Sequence, residues 1–232
     1  MIAQRNTYHG EIVNDYVSFI GALQQISSTM NIDVAVYDLY ESKNKMLSKL
    51  KEVRLHDFYI KNQHSFIAGE IYKEISEEFP GILLVPEKKW EDGKFNEVFV
   101  GSGFTNGKGI SEVKYVVDIK NDKPVILGIQ IQGDQFRLFV ETREDAKEIA
   151  ELFFNLNVWF DFSKVKQIKS FGRIEYPISP NKYFNTYSGT FMYRSVKLRE
   201  CSLKDLIEMV AYYIGHIHEE RENLRSLIRS IL

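Results

Sequence analysis

Apolar residues recur four and three apart at Ile12, Tyr16, Phe19, Leu23, Ile26 and Met30. That spacing keeps them on one face of a helix and predicts an amphipathic helix over residues 11–29. Ile32, Val34 and Val36 then alternate with Asp33 and Ala35, as in a short strand over 32–36. Met46, Leu47, Leu50 and Val53 predict a second helix over 41–53 with a lysine-rich outer face. Ile67, Ile71, Ile75 and Phe79 predict a third over 65–79, which Pro80-Gly81 ends because proline cannot continue the hydrogen-bond ladder.

The period then changes from helical to alternating. Segments 82–86, 95–101, 112–120, 124–132 and 135–141 read as the strands of an antiparallel β-meander. Gly133-Asp134 is a two-residue hairpin turn in which glycine supplies the positive φ. This turn sets Gln132 opposite Gln135, Gln130 opposite Arg137, and Ile129 opposite Leu138. Val125, Leu127, Ile129, Ile131, Phe136, Leu138 and Val140 then share a buried face. Gln130, Gln132, Gln135 and Arg137 share the other, which is wet or faces a ligand. Thr142 and Asp145 have the spacing of a capping box for a helix over 143–156, with Ala146, Ile149, Ala150, Phe153 and Leu156 inward.

Alternation returns over 158–200, with a break at Pro177 to Asn181. Ser202 and Asp205 form a second capping box, which opens a long helix over roughly 203–231. Leu203, Ile207, Val210, Ile214, Ile217, Arg221, Leu224, Ile228 and Ile231 follow a heptad spacing in that helix. This is either a coiled-coil seam for assembly or a long helix lying on its own sheet; Leu206, Tyr213 and Leu227 widen the stripe toward the second. The expected fold is α+β: an antiparallel meander packed by amphipathic helices, with a long C-terminal helix. Residues 1–157 and 158–232 are the two expected parts, or one continuous domain.

Composition adds a charge map. The chain has 232 residues, 44% hydrophobic and 27% charged, which excludes a disordered chain. Its formal charge of -2, from 30 basic and 32 acidic residues, excludes a uniformly basic surface. Yet residues 163–199 hold Lys164, Lys166, Lys169, Arg173, Lys182, Arg194, Lys197 and Arg199 against one acid, Glu175. Phe171, Tyr176, Tyr183, Phe184, Tyr187, Phe191 and Tyr193 are interleaved with them. Cations neutralise phosphates and aromatic faces stack on bases, so the segment has the composition of a DNA- or RNA-binding surface. The expected function is nucleic-acid binding by these eight residues, with nucleic-acid processing as its enzymatic form. The alternative is a non-enzymatic interaction protein that forms homo-oligomers, or binds a protein partner, through 203–231.

The chemistry-bearing motifs are few. Tyr115-Val-Val-Asp118-Ile-Lys120 ends a strand with Asp-x-Lys, the spacing at which metal-dependent nucleases place a carboxylate on Mg²⁺ and a lysine on the attacked phosphate. Glu112 falls on the same face as Asp118 by period two, so Asp118, Lys120 and Glu112 are the candidate catalytic set, with Mg²⁺ as cofactor. The competing reading is a charged hairpin end. His216 and His218 are two apart and point in opposite directions on a helix, so they do not form a metal pair. Gly101 to Gly109 lacks the Gly-Lys-Ser/Thr of a P-loop and reads as a hairpin tip. Cys201 is the single cysteine, which excludes an intrachain disulfide. The N-terminal residues do not have the pattern of a signal peptide, and no apolar run approaches 18 residues, so a cytoplasmic protein without a membrane span is expected.

Overall fold

In the computed structural model the described residues are 2–28, 30, 45–85, 98–105, 107–162, 180–197 and 202–231. The chain forms two compact units, residues 1–31 and residues 32–232. The first contains one long helix, α1 (Ile2–Ser28). Ile12, Val13, Tyr16, Val17 and Phe19 along it are exposed. The strand expected over 32–36 lies outside the described residues.

The second unit is α+β. Helices α2 (Lys45–Glu52) and α3 (His56–Glu78) lead into strands β1 (Leu84–Val85), β2 (Val98–Thr105), β3 (Lys108–Lys120), β4 (Lys123–Gln132) and β5 (Gln135–Glu141). Helix α4 (Ala146–Asn155), strands β6 (Asn185–Tyr187) and β7 (Phe191–Lys197), and helices α5 (Leu203–Glu219) and α6 (Arg221–Ser230) follow. One seven-stranded sheet has the order β1-β2-β3-β4-β5-β7-β6. It is antiparallel except for the β1–β2 pair. β7 pairs with β5, so the chain beyond residue 157 completes the sheet begun before it.

Helix α3 begins nine residues earlier than the 65–79 expected, because the i, i+4 burial ladder continues through polar residues. Tyr59, Gln63, Ile67, Ile71 and Ile75 are all buried. Gln63 and His64 break the apolar pattern in the sequence but not in the fold. The β4–β5 register is the expected one, with Gln132 opposite Gln135, Gln130 opposite Arg137 and Ile129 opposite Leu138. Gly133 has φ 61° in the turn between them, a conformation available to glycine at little cost.

Val113, Tyr115, Val117, Val125, Leu127, Ile129, Phe136, Leu138 and Val140 line one face of the sheet and join α3, α4, α5 and α6 in a single core. The opposite face is smaller and mixed: Val116, Ile126 and Phe139 pack with Phe191 and Tyr193.

Two local expectations are corrected. The Thr142/Asp145 capping box does not form: Asp145 precedes α4 in a left-handed conformation and makes no side-chain cap bond. Its carboxylate is held instead by Lys120 at 2.5 Å. The C-terminal helix is two consecutive helices that meet at Glu220. Ser202 and Asp205 do form the reciprocal capping box. Leu203, Ile207, Val210, Ile214, Ile217, Leu224 and Ile228 are buried in this chain's own core, so their seam is used within the fold.

Candidate functional site

The Asp-x-Lys motif sits at a hairpin end where its charges are already paired. Asn121 and Asp122 both have positive φ, 49° and 57°, and form a tight two-residue turn between Lys120 and Lys123. Asp118 is 7% exposed and accepts two hydrogen bonds from Arg229, Nε to Oδ2 at 2.9 Å and Nη2 to Oδ1 at 3.0 Å. Arg225 Nε lies 3.6 Å from Asp118 Oδ1 and donates to the Val117 carbonyl at 3.3 Å. Lys120 pairs with Asp145, and Lys123 with Glu144. These contacts tie α6 and the start of α4 to the β3–β4 hairpin.

Glu112 is not on the face of Asp118. A β-bulge between Val116 and Asp118 inserts Val117, so Val116 pairs with Ile126 while Asp118 pairs with Val125. One extra residue reverses the alternation, which puts Asp118 on the helix-covered face and leaves Glu112 on the other. Glu112 accepts a hydrogen bond from Gln130 Nε2 at 3.2 Å and lies 3.7 Å from Lys114. Asp118, Lys120 and Glu112 therefore have separate partners, and Glu112 lies on the opposite face of the sheet from Asp118. Among the described residues no group of three or more His, Cys, Asp or Glu could hold a metal ion.

The basic segment divides similarly. Lys164, Lys166, Lys169, Arg173 and Arg199 lie outside the described residues, as does Cys201. Arg194 is a structural cation rather than a surface one. Its guanidinium donates to the Asn181 carbonyl at 2.8 and 3.2 Å and lies 4.4 Å from the centroid of the Phe154 ring. Burial lowers its pKa. Lys197 is exposed and 4.0 Å from Asp134, and Lys182 lies 5.3 Å over the exposed Tyr183 ring. His218 Nδ1 is bonded to the Tyr115 hydroxyl at 2.8 Å, and His216 Nε2 is 3.4 Å from the Val158 carbonyl. Each is committed to a different element.

The register brings a different constellation together on the face opposite the helices, where Gln130, Gln132 and Arg137 are buried. Gln130 and Arg137 are opposite each other on β4 and β5, and Ser195 is opposite Arg137 on β7. Arg137 Nη1 donates to Gln130 Oε1 at 2.8 Å, while its Nε and Nη2 donate to Gln135 Oε1 at 3.1 and 2.6 Å. Lys114 bridges Glu112 and Glu141 on the same face. Burial opposes its charge, but the two carboxylates outweigh burial and raise its pKa.

Beside this polar row lies an aromatic one. The Arg137 guanidinium is 4.6 Å from the centroid of Tyr193. Tyr193 and Tyr187 are nearly parallel, with centroids 6.0 Å apart and planes at 15°. Phe191 stacks on Phe139 at 4.4 Å beneath them. Phe139 in turn covers Gly128 across the strand pair. Tyr187 is 54% exposed, so the row opens to solvent along β6 at the sheet edge. Period two along 191–197 puts Phe191 and Tyr193 on one face, and Tyr187 joins them through the pairing of β6 with β7. The sequence set Arg137 on the side of the hairpin away from the apolar face, expected to be wet or to face a ligand; the structure buries it there against Tyr193.

Among the described residues no helix is long and apolar enough to cross a membrane. The chain matches no protein-family model, no curated protein and no solved structure.

Proposed function

We propose that this protein binds single-stranded nucleic acid at the β6–β7 edge of its sheet, with Tyr187 and Tyr193 as stacking surfaces. The observation that carries the reading is the near-parallel pair of tyrosine rings at the exposed β6–β7 edge, with Arg137 against Tyr193. Unpaired bases present flat π-faces to such a platform, whereas a duplex hides them within its own stack. Lys197 lies on the same face, and the local charge of +7 over residues 163–199 supplies attraction for phosphates. The reading is binding without cleavage, since Asp118, Lys120 and Glu112 each serve a different contact.

Anisotropy of a labelled short single strand at low salt tests it. Binding should weaken steeply as salt rises. Tyr187→Ala and Tyr193→Ala should each weaken it by about 5- to 150-fold, the equivalent of one stacked base. Flat traces at low salt, or variants that bind like the parent, would sink the reading.

Self-association is a second reading, favoured by the exposed stripe on α1 rather than by the C-terminal seam. Ile12, Tyr16 and Phe19 keep the heptad spacing and are exposed, whereas the heptad residues of α5 and α6 are buried in the core. Sedimentation of the full chain at tens of micromolar should show an assembled species that Tyr16→Glu converts to monomer. A monomeric parent chain removes this reading.

A further inference from the structure

A cleft of about 350 Å³ lies between α3 and β2, bounded by Lys61, Asn62, Ser65, Ser102, Gly103 and Phe104. Lys61 and Ser65 are four apart on α3 and share one face of the helix. Ser102 and Phe104 are two apart on β2 and share the sheet face that packs toward α3. The two elements thus bring Lys61, Ser65 and Ser102 around one space, with the Phe104 ring under the Lys61 ammonium.

None of the bounding residues is acidic. Lys114, Lys120 and Lys123 on the same sheet are all paired with carboxylates. Lys61 differs: its ammonium rests 5.0 Å over the Phe104 ring, and among the described residues no carboxylate pairs with it. The Ser65 and Ser102 hydroxyls likewise have no hydrogen-bond partner among the described residues. A set of donors with one positive charge and no acceptor charge selects an anion. Lysine and hydroxyl donors bind phosphate oxygens through charge-assisted hydrogen bonds. The volume admits more than a bare phosphate, falling within the range of small-molecule sites at about 300–1,000 Å³.

We infer that this cleft binds a small phosphorylated molecule carrying a planar ring, of the class of a nucleoside monophosphate. Lys61, Ser65 and Ser102 hold the phosphate, and the ring packs on Phe104 in place of the lysine ammonium. Ser102 pairs with Ser111 on the helix-covered side, so the cleft is independent of the tyrosine pair on the opposite face.

Isothermal titration of the full chain with adenosine monophosphate, adenosine and inorganic phosphate tests the site. The monophosphate should saturate below about 1 mM, with adenosine and inorganic phosphate each at least about tenfold weaker. Lys61→Ala should weaken the monophosphate by about tenfold or more and abolish its advantage over adenosine. Phe104→Ala should lower affinity for the monophosphate and leave that for inorganic phosphate unchanged. Lys61 is exposed, so its variant should keep the parent's thermal midpoint without ligand. Tyr187→Ala should bind the monophosphate like the parent, which separates this site from the strand-binding surface. No saturation by about 10 mM, unchanged affinity in Lys61→Ala, or adenosine binding as tightly as its monophosphate would overturn the inference.

Discussion

Acidification from neutral pH toward pH 4 should cost the folded protein about 3 kcal/mol through one side chain, His64. His64 is fully buried on α3, and burial lowers its pKa from 6.5 to about 4. Its Nδ1 is 2.9 Å from Ser111 Oγ, and Ser111 Oγ itself donates to the His64 carbonyl at 3.0 Å. The serine proton is thereby committed, so the imidazole donates through Nδ1–H, and burial disfavours the second ring proton that would charge it. Gly109 on β3 leaves room for the ring; a Cβ there would collide with it.

The sign follows from proton uptake. Below pH 6.5 the unfolded chain protonates this histidine, whereas the folded chain resists until about pH 4. The contribution is therefore complete above 6.5 and is lost progressively as pH falls toward about 4. Urea midpoints between pH 7 and pH 4.5 should fall more steeply in the parent than in His64→Asn, which cannot titrate. Equal slopes, or an NMR titration of the His64 ring near the ordinary imidazole value, would contradict the assignment.

Gly128→Ala should destabilise the fold by about 3 kcal/mol and weaken strand binding as well. A Cβ on Gly128 would fall under 3.0 Å from both the Phe139 ring and the Val113 carbonyl oxygen. Neither gives way readily. Val113 belongs to the neighbouring strand, and Phe139 is fully buried with its own carbonyl accepting from Trp159 Nε1 at 3.2 Å. Phe139 also supports Phe191, whose ring lies 5.8 Å from Tyr193 and 6.2 Å from Tyr187. Displacement of Phe139 therefore reaches the proposed stacking surface. Denaturant unfolding and strand anisotropy on the same variant check both effects. A loss below about 0.5 kcal/mol would mean that the strands absorb the methyl group.

Much of the sheet was legible because its signals are local. Alternation along β4 and β5, with one glycine-containing turn between them, settles which residues face each other. The Ser202/Asp205 capping box was equally legible, since its two hydrogen bonds span only three residues. The Thr142/Asp145 pair has the same spacing and fails. Lys120, 25 residues upstream, takes the Asp145 carboxylate. The start of α3 was hidden for the converse reason: buried Gln63 and His64 look solvent-facing until a partner such as Ser111, 47 residues away from His64, is brought to them.

What the sequence determined by itself is the α+β class, the hairpin register and the uneven placement of charge. Each depends on side-chain period or composition, which neighbouring residues carry. The tertiary structure alone decided which charges are spent and which surfaces stay open. One bulged residue, Val117, sends Asp118 to Arg229, 111 residues away, and parts it from Glu112. Pairing of β5 with β7 brings Tyr193 beside Arg137, and folding buries the C-terminal heptads in the core. Those outcomes depend on contacts between residues far apart in the chain, where a shift of one position exchanges the two faces of a strand.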